Sequence, residues 1–173
     1  MIGLLRRGAA DQGGAAAIEF ALIFPVLFVL HVSAAEALEA YQAQRNVAHI
    51  AAAMADVMAQ SRSVTAADVD DVMTASTAMI YPFPNVSVQQ RVSSLSANAS
   101  GAVATDWTVK KGYTLPGNPS TPSGYLAANE SVIVTDVVYD YRPTFGLFLP
   151  ATIRFTRHAY VRPRLSSKVD KSG

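Results

Sequence analysis

Cysteine is absent from this chain. No disulfide framework can brace it and no thiolate can attack a substrate or bind a metal, so an exported domain would rely on its core alone. Charge is scarce as well. Charged residues make up 16% of the chain and the formal net charge is +1, a balance that argues against nucleic acid as a partner. The motifs of common active sites are missing. There is no HExxH, no Gly-rich phosphate loop and no G-x-S-x-G elbow. His31, His49 and His158 are scattered. Asp68, Asp70 and Asp71 lack the spacing and glycine of a calcium loop and suit the first turn of a helix instead. We therefore expect no catalytic residues, no cofactor and no metal.

What the chain does have is apolar sequence, 50% by residue count, and much of it is concentrated in one place. Residues 15–35 are almost wholly apolar, interrupted by Glu19, Pro25 and His31. About 20 helical residues cross a hydrocarbon core of roughly 30 Å, so the run is long enough for one crossing. Arg6 and Arg7 precede it. By the positive-inside rule they set the topology, with the N-terminus cytoplasmic and the rest exported.

The helical pattern continues past the run. From Glu36 to Gln60 there is neither proline nor glycine, and Val47, Ile50, Met54 and Val57 recur at spacings of three and four. This predicts one helix from about Ala15 to Ser61, with Pro25 removing a backbone hydrogen bond and kinking it. Thr65 and Asp68 resemble a capping box, and Val69, Val72, Met73, Ser76 and Ile80 form the apolar face of a second helix that "YPFP" ends.

After Pro84 the period changes to two. Val86, Val88 and Val92 form one alternating stretch; Val103, Thr105, Trp107 and Val109 form another, beyond the turn "SANASG". "SVIVTDVVYDY" and "TIRFTRHAYVR" are two further strands. Ile153, Phe155, Arg157, Ala159 and Val161 share one face of the last, with Arg154, His158 and Tyr160 on the other.

The expected fold class is thus α+β: a long N-terminal helix and a second helix packed on an antiparallel sheet of about four strands. The expected organisation is a cytoplasmic leader over 1–14, a transmembrane helix over 15–35 and its periplasmic continuation over 36–62. A periplasmic α+β head over 63–165 and a frayed polar tail over 166–173 complete it. Two loops are candidate contact surfaces: "GYTLPGNPSTPSGYL" with its two tyrosines, and "TFGLFLP", whose phenylalanines either face a partner or cap the core.

Glu19 is the feature that needs a reason. A charge at the centre of a membrane helix costs about 2.5–3.5 kcal/mol, less near an end, and is a functional candidate by default. If the chain is cut between Gly14 and Ala15, Ala15 gains a charged amine and Glu19 becomes the fifth residue. A neighbouring copy's amine can then neutralise Glu19, and lipid strengthens that attraction. Small residues around it, Ala15, Ala16, Ala17 and Ala21, suit close helix packing.

The stretch "RRGAADQGGAAAIEFALIFPVLFVL" resembles the start of type IV pilins, and more narrowly of the TadE-like proteins of tight-adherence (Tad, type IVc) pilus systems. The matching residues are Gly14, Ala15, Ala17, Ile18, Glu19, Phe20, Ala21, Leu22, Pro25, Val26 and Leu27. "VIVTDVVYDYRP" and "RHAYVRPR" resemble that family's closing strands less specifically. The resemblance implies a pseudopilin, or minor pilin, processed by a prepilin peptidase and taking part in pilus assembly and cell adhesion with other pilins and pseudopilins of the system. It implies an inner-membrane location with the head in the periplasm, and assembly through Glu19, Phe20 and Pro25. Bulk pilins of that kind are much shorter, which implies the minor role.

Two rival readings treat the same run differently. A signal peptidase cut near Ala35, after "VSA", would release a soluble periplasmic α+β binding protein. A plain uncleaved anchor would leave the whole run in place. Neither gives Glu19 a purpose.

Overall fold

A computed structural model of the chain describes residues 12–172. Arg6, Arg7 and most of the expected leader lie outside the described residues. Helix α1 spans Gln12–Ala59, 48 residues, and runs on through Pro25. Strand β1, Ser63–Thr65, leads directly into helix α2, Ala66–Thr77, and a single 3-10 turn over Ala78–Ile80 follows. Strands β2 (Val88–Ala97), β3 (Val103–Lys111), β4 (Ser131–Tyr141) and β5 (Ile153–Val161) come next, and β6, Asp170–Ser172, is the last described element.

The four long strands form one antiparallel sheet in the order β3-β2-β4-β5. The second half of α1 lies across it. Ala43, Val47, Ile50, Ala51, Met54, Ala55, Met58 and Ala59 are all buried, a stripe at helical spacing. They pack with Val92, Ile133, Val137 and Tyr139 of the sheet and with Val69 and Met73 of α2. Burying each large apolar side chain contributes roughly 1.5–3 kcal/mol, so this layer is the main source of stability. Val57 departs from the expected stripe and is exposed, Met58 taking its place. The stripe drifts because 3.6 residues per turn do not keep a fixed heptad over four turns.

Helix α2 starts on a full capping box. The Thr65 hydroxyl accepts from Asp68 N at 3.1 Å, while the Asp68 carboxylate accepts from Thr65 N at 2.8 Å. The bond from Thr65 N, and a second to the same carboxylate from the Thr65 hydroxyl at 2.8 Å, hold the Asp68 carboxyl below its ordinary pKa. Val69, Met73, Ser76 and Ile80 are buried as their spacing predicts, with Val72 at the edge of the core. Val86 is exposed and precedes β2 rather than joining it. It lies in a turn closed by Val88 N donating to Asn85 O at 3.1 Å, so pairing begins later.

The sheet is covered on both faces. The outer face carries a smaller cluster of Leu95, Ala97, Leu126, Val132 and Val134, with Tyr125 and Tyr160 beside it. This is why β4 is buried from Ser131 to Tyr139 without alternation. The long loop that follows β3 provides that cover, so its tyrosines are not presented as a contact surface. Tyr125 tilts against Tyr160 with centroids 5.4 Å apart, and its hydroxyl donates to Tyr160 O at 3.2 Å.

The frayed tail is corrected. β6 pairs in parallel with β1, from Ser63↔Asp170 to Thr65↔Ser172. Val169 is fully buried, its carbonyl accepting from Trp107 Nε1 at 2.8 Å, and Ser131 Oγ donates to Ser167 O at 2.5 Å. Arg164 N donates to Ala59 O at 2.9 Å, and its guanidinium pairs with Asp56. One apolar residue in a polar segment is enough to fold it when a pocket awaits that side chain.

Candidate functional site

The exposed half of α1 is the first candidate. Every residue from Gly14 to His31 is exposed. Among them are Ile18 at 64%, Phe20 at 64%, Leu22 at 73% and Leu30 at 64%. A soluble core helix would hide such side chains, whereas here none of the most apolar window is buried. Phe20, Phe24 and Phe28 form a ladder along one side, with ring centroids 5.4 and 5.9 Å apart. The helix is long and apolar enough to cross a membrane.

The residues expected to matter lie on this half. Gly14 and Ala15 are inside the first turns of α1, and the space where a Gly14 side chain would sit is open. Glu19 is one turn further on, exposed and without a partner among the described residues. Phe20 begins the aromatic ladder, and Pro25 lies mid-run within a continuous helix. The structure brings these residues onto one exposed rod rather than into a pocket. Side chains so placed are open to neighbouring molecules along the whole length of the rod.

The second candidate lies where the rod meets the head. Glu36 follows the apolar run directly, and it is 2% exposed. Its Oε1 accepts from Phe145 N at 2.7 Å and Gly146 N at 2.5 Å. Its Oε2 is buried with no hydrogen-bond partner among the described residues. One turn on, Glu39 Oε2 accepts from Thr144 Oγ1 at 3.3 Å and from the Tyr141 hydroxyl at 3.4 Å. Two carboxylates three residues apart on one helix face thus hold the start of the loop after β4. Burial, then the charge of Glu39 and the hydrogen bond to it, pushes the Tyr141 phenol up to about 12. Gly146 has φ +65°, a left-handed turn that suits glycine and lets two successive amides face one oxygen. Beyond that clamp Phe145, Leu147 and Phe148 are 66%, 51% and 69% exposed. These phenylalanines therefore do not cap the core.

A third cluster lies under the long loop on the outer face of the sheet. Arg91, 4% exposed, pairs with Asp136, 2% exposed, at 2.6 Å. Asp136 Oδ1 lies 2.5 Å from His158 Nδ1. Arg91 Nη1 donates to Gly117 O at 2.7 Å, and its guanidinium sits 4.5 Å from the Tyr113 ring centroid. This network ties the loop to the sheet. Arg91, Asp136 and His158 come from the facing positions of β2, β4 and β5.

Neither Glu36 nor the Arg91–Asp136 pair is among the residues singled out from sequence, although His158 and the loop that Glu36 holds are named there. Each left a trace there. Glu36 and Glu39 are the first acids after the apolar run, and Asp136 is a charge amid the β-branched residues of "SVIVTDVV".

No protein-family model, no curated protein and no solved structure matches the chain.

Proposed function

We propose that this chain is a single-pass, non-catalytic assembly protein of the bacterial inner membrane, a TadE-like pseudopilin or minor pilin of a Tad pilus system. The observation that carries the reading is the division of α1. Its first half is an exposed apolar rod bearing one carboxylate, and its second half is the central core element of the head. A helix built this way couples the head rigidly to whatever packs around the rod, since the two share one hydrogen-bonded backbone.

In this reading a prepilin peptidase cuts between Gly14 and Ala15, and Glu19 pairs with the new amine of a neighbouring pilin or pseudopilin. A protease needs extended backbone. The Gly13-Gly14 pair lowers the cost of unwinding the first turn, each glycine being about 1 kcal/mol poorer in a helix than alanine. Release near Ala35 is disfavoured by comparison. That bond lies mid-helix, beside buried Glu36, and opening it would dismantle the clamp on the 143–150 loop.

The test is the N-terminal residue of the protein purified from its own membranes. A start at Ala15 with the helix retained supports the reading. A start near Ala35 replaces it with a soluble exported protein, and a start near Met1 leaves an uncleaved anchor.

A further inference from the structure

The Glu36 clamp fixes an apolar loop at the level where α1 leaves its apolar run. β4 runs antiparallel to α1: Thr135 bonds Ala51, and Tyr141, six residues later, bonds Glu39. The loop after β4 therefore lies at the end of the head nearest the apolar rod. Glu36 lies five residues past His31, the last of the fully exposed run, or about 7–8 Å along the axis.

We infer that the 143–150 loop is a second membrane contact. Phe145, Leu147 and Phe148 would enter the headgroup–acyl boundary of the leaflet on the head side of the same bilayer that α1 crosses. The inference rests on the membrane-spanning reading of α1.

Three observations select lipid as the occupant. The loop's exposed apolar side chains are anchored beside Glu36, about 7–8 Å along the axis from the exposed apolar run of α1, within reach of the headgroup–acyl boundary where interfacial side chains sit. Residues 143–150 carry no charge, and exposed Arg142 stands at the loop's start, where its stem can reach lipid phosphates. Two of the loop's amides are paired within the protein, while those of Leu147, Phe148 and Leu149 have no partner among the described residues and rely on headgroup water. Backbone amides cannot be left unpaired in lipid, and those of Phe145 and Gly146 are already given to a buried carboxylate. A loop exposed only to water would need no such acceptor, because water would serve.

The absence of cysteine makes the test clean. Phe148→Cys, Leu22→Cys and Ala99→Cys are each made in the full chain and labelled with an environment-sensitive fluorophore. The proteins are reconstituted in phosphatidylcholine/phosphatidylglycerol vesicles. Leu22 reports the middle of the rod and Ala99 the turn at the far end of the head. All three side chains are exposed, so the head keeps its core. Quenching is read from aqueous iodide and from lipids carrying a quencher at shallow depth. The expected result is loss of iodide quenching at Phe148 relative to Ala99, with strong shallow-lipid quenching, while Leu22 is shielded from iodide. If Leu22 is shielded but Phe148 is as open to iodide as Ala99, the loop contact is overturned and the anchor stands. If Phe148 is shielded from both quenchers, the loop faces protein and the inference is equally overturned. If Leu22 itself is open to iodide, the spanning reading fails and the loop contact fails with it.

Discussion

Thr135 Oγ1 donates to the main-chain carbonyl of Ala51 at 2.7 Å, with both residues fully buried. A strand side chain can reach a helix carbonyl only where helix and sheet come close, and the alanines of α1 allow that approach. Ala51→Leu should force the layers apart and destabilise the head by about 1–3 kcal/mol, the usual cost of overpacking. Thr135→Val keeps the shape and loses the bond, and should cost about 0.5–1.5 kcal/mol, since the carbonyl retains its helical partner. Denaturant unfolding of the two variants would rank them. A larger loss for Thr135→Val would mean that the hydroxyl, rather than spacing, sets this interface.

The Arg91–Asp136 pair should behave as a buried ion pair whose members depend on each other. Asp136→Ala leaves a guanidinium 4% exposed without its carboxylate. The expected loss is about 3–5 kcal/mol, most of it the penalty of the stranded charge. Because Arg91 also holds Gly117 and Tyr113, proteolysis should find the 112–130 loop first. If the variant unfolds like the parent protein, Arg91 has found solvent, and the loop is held by Tyr125 and Leu126 instead.

Tyr141 predicts the alkaline limit of the fold. Its folded phenol is raised from the ordinary 10.0 to about 12 by burial and by the Glu39 carboxylate. Between those values the folded state holds a proton that the unfolded state has lost, so stability falls as pH rises. The contribution is complete below pH 10.0 and gone above about 12. Tyr141→Phe should flatten that slope in a pH series of unfolding midpoints. An unchanged slope would assign alkaline unfolding to other groups, Tyr139 being the next candidate because burial raises it too.

What could be read from the sequence was what local pattern dictates. The capping box at Thr65 and Asp68, the face of Ile153, Phe155, Ala159 and Val161, and the bounds of "SVIVTDVVYDY" all follow from period and cap chemistry. The missed elements depend on partners far away in the chain. β1 and β6 are three residues each and carry no signal until Val169 finds its pocket beside Trp107. Glu36 reads as an ordinary polar residue after an apolar run, and becomes a clamp only because residues 145 and 146 return to it. Glu19 is the reverse case: the sequence marks it as a charge in an apolar run, and among the described residues it has no partner.

That unpaired carboxylate gives the last prediction. If Glu19 serves assembly, Glu19→Ala should leave both the cut after Gly14 and the fold of the head intact, because the residue touches neither. Insertion should improve, since up to about 2.5–3.5 kcal/mol of membrane cost is removed. Association with neighbouring subunits should nevertheless fall, because an amine in lipid would lose its counter-charge. Glu19→Asp keeps the charge on a shorter stem and should restore part of the association. Crosslinking in native membranes, with N-terminal sequencing of the same samples, separates these effects. Normal crosslinking in Glu19→Ala would remove the pairing role and leave the carboxylate as a cost without a function.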